Sequence, residues 1–266
     1  MDAGVSFEFS QIESTIRSFM WPFIRISSMT MSMVVIGSAI VSPQKRLIFA
    51  LLITSVVAPV LPAMPDVELM SHEGFIITIQ QVFIGVSVGF VSRLVFETFI
   101  VGGQVIAMSS GLGFAQINDP ASGVNVPAVG QFFLMMATLI FLAVDGHLIL
   151  INIIVKSFVT LPVSTQGIPM PALSGIFDMA GSMFSAGLMM ALAAVISLLM
   201  VNLSFGILTK VAPTLNIFVI GFPIILTFGL LILWFTLNGF TTHFDRQFLN
   251  GQQTTCSLVN MECVNG

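Results

Sequence analysis

Charge is scarce in this 266-residue sequence: Asp, Glu, Lys and Arg together make up only 8% of it. An ordinary soluble domain carries about 25%, so no soluble surface can be built from this chain. Eight Lys plus Arg stand against twelve Asp plus Glu, a formal charge of -4 that is too small and too scattered for a nucleic-acid footprint or a steering field. Nucleic acid is therefore not an expected partner. Histidine is nearly as rare, with His72, His147 and His243 forming no metal-ligand spacing, and there is no Gly-Lys-Ser/Thr phosphate loop. Catalysis, ATP binding and a resident cofactor have almost nothing to stand on. The two cysteines, Cys256 and Cys263, match no common zinc or redox motif, which leaves a disulfide and a pair of free thiols both open. Asp2 and Glu8 precede any Lys or Arg, so the basic region of a cleavable signal peptide is missing and the first apolar segment is expected to be retained.

Apolar residues fill the space that charge leaves: 56% of the chain is hydrophobic and the mean hydropathy is +1.05. A spanning helix needs roughly 20 mostly apolar residues, and the sequence divides into six such runs, at about 19–41, 47–61, 75–108, 129–161, 176–208 and 215–240. This predicts an all-α membrane protein of about six long helices over residues 1–245, followed by a flexible polar tail over 246–266 with no apolar periodicity. Pro59, Pro62 and Pro65 close the second run. Several runs exceed a straight crossing, and Gly85, Gly89, Gly102, Gly103, Gly206 and Gly221-Phe222-Pro223 are helix-weakening sites where they can bend. Lys45 and Arg46 favour a cytoplasmic turn, whereas Lys156, Lys210 and Arg246 fall near alternate ends of later runs, so basic residues do not fix the orientation.

Charges inside apolar runs are costly unless paired or wet. Arg93 and Glu97 lie four apart and share a helical face. They read either as a pore or inter-subunit contact or as a structural ion pair, and the same alternatives hold for Asp145, His147 and Asp178. Gly85-Val86-Ser87-Val88-Gly89 fits the G-x-S-x-G nucleophile pattern, but that elbow requires a strand-to-helix turn and this copy lies in a helical run. Its glycines are better explained as a G-x-x-x-G face for close helix approach. Between runs three and four, Gly111-Leu112-Gly113-Phe114-Ala115-Gln116-Ile117-Asn118-Asp119-Pro120 is apolar, Gly-rich and breaker-rich at once. Non-helical backbone at membrane depth is tolerated only inside protein or beside a water-filled cavity. That makes the segment a candidate constriction or plug, with an interfacial loop as the alternative. Seventeen Met and twenty-five Phe supply soft, bulky packing, mostly for the core.

These motifs together resemble the FliR family of flagellar export-gate proteins. The resemblance is carried by Arg25 in a Pro22-containing first run, Pro43, Gly102 to Gln104, the Gly111 to Pro120 segment, Asn125-x-Pro127, Asp145-Gly146-His147, and the block from Pro213 through Asn216 to Gly221-Phe222-Pro223. It runs from about residue 24 to 233, with its segments in the family's order and spacing. It implies a non-enzymatic subunit of a bacterial type III export gate in the inner membrane at the flagellar basal body. FliP-like and FliQ-like subunits are the implied partners, with FlhB-like and FlhA-like export proteins nearby, membrane lipid around and unfolded polypeptides as cargo. It also implies hairpins of helices stacked in a helical assembly and raised from the plane of the bilayer instead of each crossing it, so the six runs count helices rather than crossings, and a plug role for Gly111, Leu112, Gly113, Phe114, Ala115 and Ile117. Gly85, Gly89, Asn216, Gly221 and Pro223 are expected to pack helices, and Arg93, Glu97 and Asp145 to make intramembrane contacts. The injectisome counterpart, a secondary transporter built on Arg93, Glu97 and Asp145, and an intramembrane hydrolase using Ser87 are the rival readings.

Overall fold

A computed structural model describes residues 2–37, 41–68, 70–114, 116–118, 125–211 and 217–263. Long helices dominate: α1 (Asp2–Ser32), α2 (Pro43–Val57), α3 (His72–Ser109), α4 (Ala128–Ala143), α5 (Gly146–Thr160), α6 (Met170–Val211), α7 (Ile217–Leu237) and α8 (Phe240–Leu258). Among the described residues the fold is all-α apart from one small antiparallel ribbon, in which β1 (Gln116–Asn118) pairs with β2 (Asn125–Pro127). Contacts divide the chain into two units. One comprises Met1–Arg93, Asp145–Asp178 and Gly251–Gly266; the other comprises Leu94–Val144 and Met179–Asn250.

Local chemistry explains most boundaries. Pro43 occupies the first turn of α2, where its missing N–H costs nothing. The helix gives way to a 3-10 turn at Ala58–Val60 as the Pro59, Pro62 and Pro65 series begins. Ser71 caps α3, its Oγ accepting from Gly74 N at 3.0 Å. α3 then runs 38 residues without a break across all four of its glycines that sequence marks as weak points. Those glycines admit close neighbours. A Cβ on Gly103 would lie 2.7 Å from Gly130 Cα in α4, and one on Gly102 would meet Met190 Cε and come within 3.0 Å of Gly187 O in α6.

Three expectations need correction. The fourth apolar run, 129–161, is two helices, because the chain turns at Asp145, whose φ of 54° is left-handed, and Leu148 N and Ile149 N donate to Asp145 O to start α5. The first helix begins at Asp2 and ends at Ser32, so its span is not the apolar run 19–41. Within the expected flexible tail 246–266, residues 246–263 are ordered instead: α8 continues to Leu258, and a disulfide joins Cys256 to Cys263 with Cα atoms 5.8 Å apart, while 264–266 lie outside the described residues. The buried face of α8 carries Phe240, Phe244, Gln247, Gly251, Thr255 and Leu258, a helical period whose later members are small or polar. That composition hides the periodicity from a reading based on apolar residues.

The first unit buries Trp21, Met29, Val88, Ile154, Phe158 and Val259 in one core. The second is built around a column of rings: Phe99 lies 5.0 Å from Phe240 and 5.8 Å from Phe244, Phe133 lies 5.4 Å from Phe240, and Phe141 lies 5.3 Å from Phe96. Among the described residues, three helical stretches can cross a membrane by length and composition, Pro43–Val60, α3 and α6, and up to five if α4 with α5 and α7 with α8 each count as one broken span.

Candidate functional site

The candidate plug emerges where α3 runs out. Ser110 closes the helix, with its N–H on Ile106 O at 3.0 Å and its Oγ on Ala107 O at 3.1 Å. Gly111 follows with φ of +75°, a left-handed conformation in which a side chain is strained. Leu112–Phe114 form a single 3-10 turn, and Gln116–Asn118 then pair with Asn125–Pro127, Ile117 opposite Val126. The segment is therefore a hairpin returning directly into α4. Ala115 lies outside the described residues, as do Asp119 and Pro120.

Two blocks that sequence marks separately meet at the base of this hairpin. A Cβ on Gly111 would lie 3.7 Å from the Phe222 ring and 4.0 Å from Leu226 Cδ2, so the Gly111 turn sits against the Gly221-Phe222-Pro223 stretch of α7. Pro223 stands inside α7 with Thr227 Oγ1 donating to its carbonyl at 2.8 Å, and two turns on from Phe222 Gly229 approaches so closely that a Cβ there would be 2.6 Å from Ser110 Cβ. Gly221 itself is buried, while Asn216 lies outside the described residues. The contact between Gly229 and Ser110 carries no sequence signal, since a lone Gly in an apolar helix does not reveal its neighbour.

Arg93 is exposed and Glu97 half-buried on α3; Asp145 is exposed at the start of α5, His147 is half-buried with a buried Nδ1 that has no hydrogen-bond partner among the described residues, and Asp178 is exposed. Among the described residues no group of three or more His, Cys, Asp or Glu could hold a metal. Ser87 is buried in the middle of α3, with no strand-to-helix turn around it. Gly85 and Gly89 lie against α1, where added Cβ atoms would overlap the Ser28 and Ser32 hydroxyls.

A buried guanidinium is the feature that residue-by-residue reading passed over. Arg25 on α1 is fully buried, with Nε donating to Gln81 Oε1 at 2.7 Å, Nη1 to Ser157 Oγ at 3.0 Å and Nη2 to Leu161 O at 3.0 Å. Its Cζ lies 4.2 Å over the Phe158 ring. All of these partners are neutral, so the cation is held by dipoles and a π face. The available signal is a lone Arg in an apolar run; its acceptors, 56 and 132 residues away, leave none.

The family described as bacterial export proteins, family 1, matches residues 16–251, a span that includes Arg25, the hairpin and the Gly221-Phe222-Pro223 stretch. The chain belongs to the FliR family of bacterial export proteins. Relatives in that family extend across most of its length. The flagellar biosynthetic protein FliR of Pectobacterium carotovorum subsp. carotovorum is 38% identical over 218 residues, 82% of this chain and 83% of the relative. That of Escherichia coli (strain K12) is 36% identical over 217 residues, again 82% and 83%. The more distant FliR of Bacillus subtilis (strain 168) is 28% identical over 211 residues, 78% and 81%.

Proposed function

We propose that the chain is a FliR-like subunit of the flagellar protein export gate. In this reading it assembles with FliP-like and FliQ-like subunits in the bacterial inner membrane at the basal body, next to FlhB-like and FlhA-like proteins. Unfolded flagellar polypeptides pass through the assembly, and the chain itself catalyses nothing. The reading joins family membership, which carries export and flagellar biosynthesis, to the Gly111–Ile117 hairpin. A non-helical segment hinged at a left-handed glycine and braced by Phe222 is suited to closing a conduit and swinging aside.

The observation that carries the plug role is the contact of the Gly111 turn with α7, because it gives the hairpin a seated position from which it can be displaced. Deleting 111–117 from the chain, co-expressed with FliP-like and FliQ-like partners and reconstituted into liposomes, should produce an ion leak absent from the wild-type complex. A complex that assembles normally and stays ion-tight without the segment would overturn the plug role. A chain that elutes alone, indifferent to those partners, would overturn the gate assembly.

A further inference from the structure

The end of α8 is closed by a helix stop built from backbone alone. Asn260 is left-handed, with φ of 56°. Met261 N donates back to Cys256 O at 2.9 Å and Asn260 N to Ser257 O at 3.2 Å. This pair of bonds around a left-handed residue satisfies the last carbonyls of the helix, and Asn is one of the few side chains that adopts the conformation at small cost. The turn needs no covalent help to send the chain back along α8. Thr160 Oγ1, at the end of α5, donates to Val259 O and tethers the turn from outside.

The two cysteines stand where this turn brings them. Cys256 supplies the carbonyl that closes it, and Cys263 lies on the returning strand, seven residues on in sequence. Their bond joins a helix end to its own continuation rather than two distant elements, and so short a loop lies at the weak end of what a cross-link contributes. The sulfurs differ in access: Cys256 is 1% exposed, whereas Cys263 is half-buried. Cys263 Sγ also lies 3.5 Å from Gln252 O, an acceptor placed for a reduced thiol. Cap, tether and acceptor are all independent of the sulfur–sulfur bond.

We propose that Cys256 and Cys263 form a reversible thiol–disulfide pair, with half-buried Cys263 as the site of exchange with a small-molecule disulfide and buried Cys256 as the resolving thiol. Closure takes two exchanges. The Cys263 thiolate attacks one sulfur of the small disulfide, which releases one small thiolate and leaves a mixed disulfide on Cys263. The Cys256 thiolate then attacks the Cys263 sulfur, the internal bond forms, and the second small thiolate leaves. The dithiol gives up two electrons and two protons, and one small disulfide becomes two small thiols. Opening is the reverse. In the open form the cap still turns the chain, but Glu262 and Cys263 are released from α8; in the closed form they are fastened to the core that holds Cys256 and Val259. The inference does not depend on the export-gate reading.

The test uses the full chain, in the assembly with which it purifies, equilibrated in buffers of reduced and oxidised glutathione at varied ratio. Acid quenching, denaturation and maleimide labelling should then show the chain passing between two labelled thiols and none, with the assembly eluting unchanged on size exclusion at both extremes. The chain has no other cysteine, so its own mass shift reads the pair directly. In oxidised glutathione, Cys256→Ser should gain one glutathionyl adduct at least about tenfold faster than Cys263→Ser, because access governs thiol reactivity. A bridge that stays closed in reduced glutathione, or an assembly that falls apart when it opens, would make the bond structural and overturn the proposal. Thiols that never pair in oxidised glutathione would overturn it equally. Equal adduct rates in the two single variants would remove Cys263 from the role of exchange site.

Discussion

Arg25 Nε donates to Gln81 Oε1 at 2.7 Å, fastening α1 to α3 through a fully buried cation. Gln81→Leu removes the acceptor and should destabilise the chain by about 2–3 kcal/mol, the worth of a buried hydrogen bond to a charged group. Gln81→Glu supplies a counter-charge and should keep stability near wild type. Thermal unfolding in mild detergent reads both; equal melting of Gln81→Leu and wild type would mean that the bond carries no weight.

Gly85 and Gly89 set the approach of α3 to α1. Gly85→Leu should collapse the yield of folded protein, because the added atoms meet the backbone carbonyl of Arg25 as well as the Ser28 hydroxyl. Ser87→Ala, between them, should change stability by less than about 1 kcal/mol. Size-exclusion profiles of the two variants separate these outcomes, and an intact Gly85→Leu peak would refute the packing argument.

Gly111 combines a φ of +75° with 3.7 Å of clearance to Phe222. Gly111→Ala should therefore cost about 1–2 kcal/mol from backbone strain alone, with no clash. If the hairpin closes a conduit, this variant should leak ions less than deletion of 111–117 but more than wild type. Conductance of the reconstituted complex gives the order.

Phe244 is completely buried between the rings of Phe99 and Phe248. Phe244→Ala should destabilise by about 3–5 kcal/mol, whereas Leu249→Ala, at an exposed position of the same helix, should have little effect. Comparable melting of the two variants would contradict the packing of α8.

The disulfide closes a short loop between Cys256 and Cys263 at the end of α8. Replacing both cysteines with serine should cost about 2 kcal/mol on the chain-entropy estimate. Thiol labelling of the denatured chain, with and without reductant, checks the bridge directly. Full labelling without reductant would show that the thiols are free.

Long uninterrupted apolar runs were the legible part of the fold. α3 at His72–Ser109 and α6 at Met170–Val211 begin three and six residues before the runs that predict them, because polar His72 and Glu73 hide the first turn of α3 and the breakers Pro171 and Gly175 that of α6. The α4–α5 break was illegible: Gly146 inside an apolar stretch looks like any other glycine, and only the left-handed Asp145 makes it a corner. α8 was hidden because its buried face uses Gln247, Gly251 and Thr255 where hydrophobes are expected. In the candidate site, Gly and breaker residues made 111–127 readable as non-helical, but strand pairing between Gln116–Asn118 and Asn125–Pro127 lies in a register that three-residue segments cannot announce. The Arg25 cluster was unreadable for a different reason: its acceptors are a glutamine, a serine and a carbonyl, none of which signals a cation.

Each unit is assembled from separated stretches, and residues Gly251–Gly266 and the Phe240–Asn250 part of α8 belong to different ones. Both units therefore draw on neighbouring stretches late in the sequence, Phe240–Asn250 for one and Gly251–Val259 for the other. A premature stop before Phe240 would strip Phe244 and Phe248 from one unit and Cys256 and Val259 from the other, leaving two incomplete cores for quality-control proteolysis rather than one healthy half.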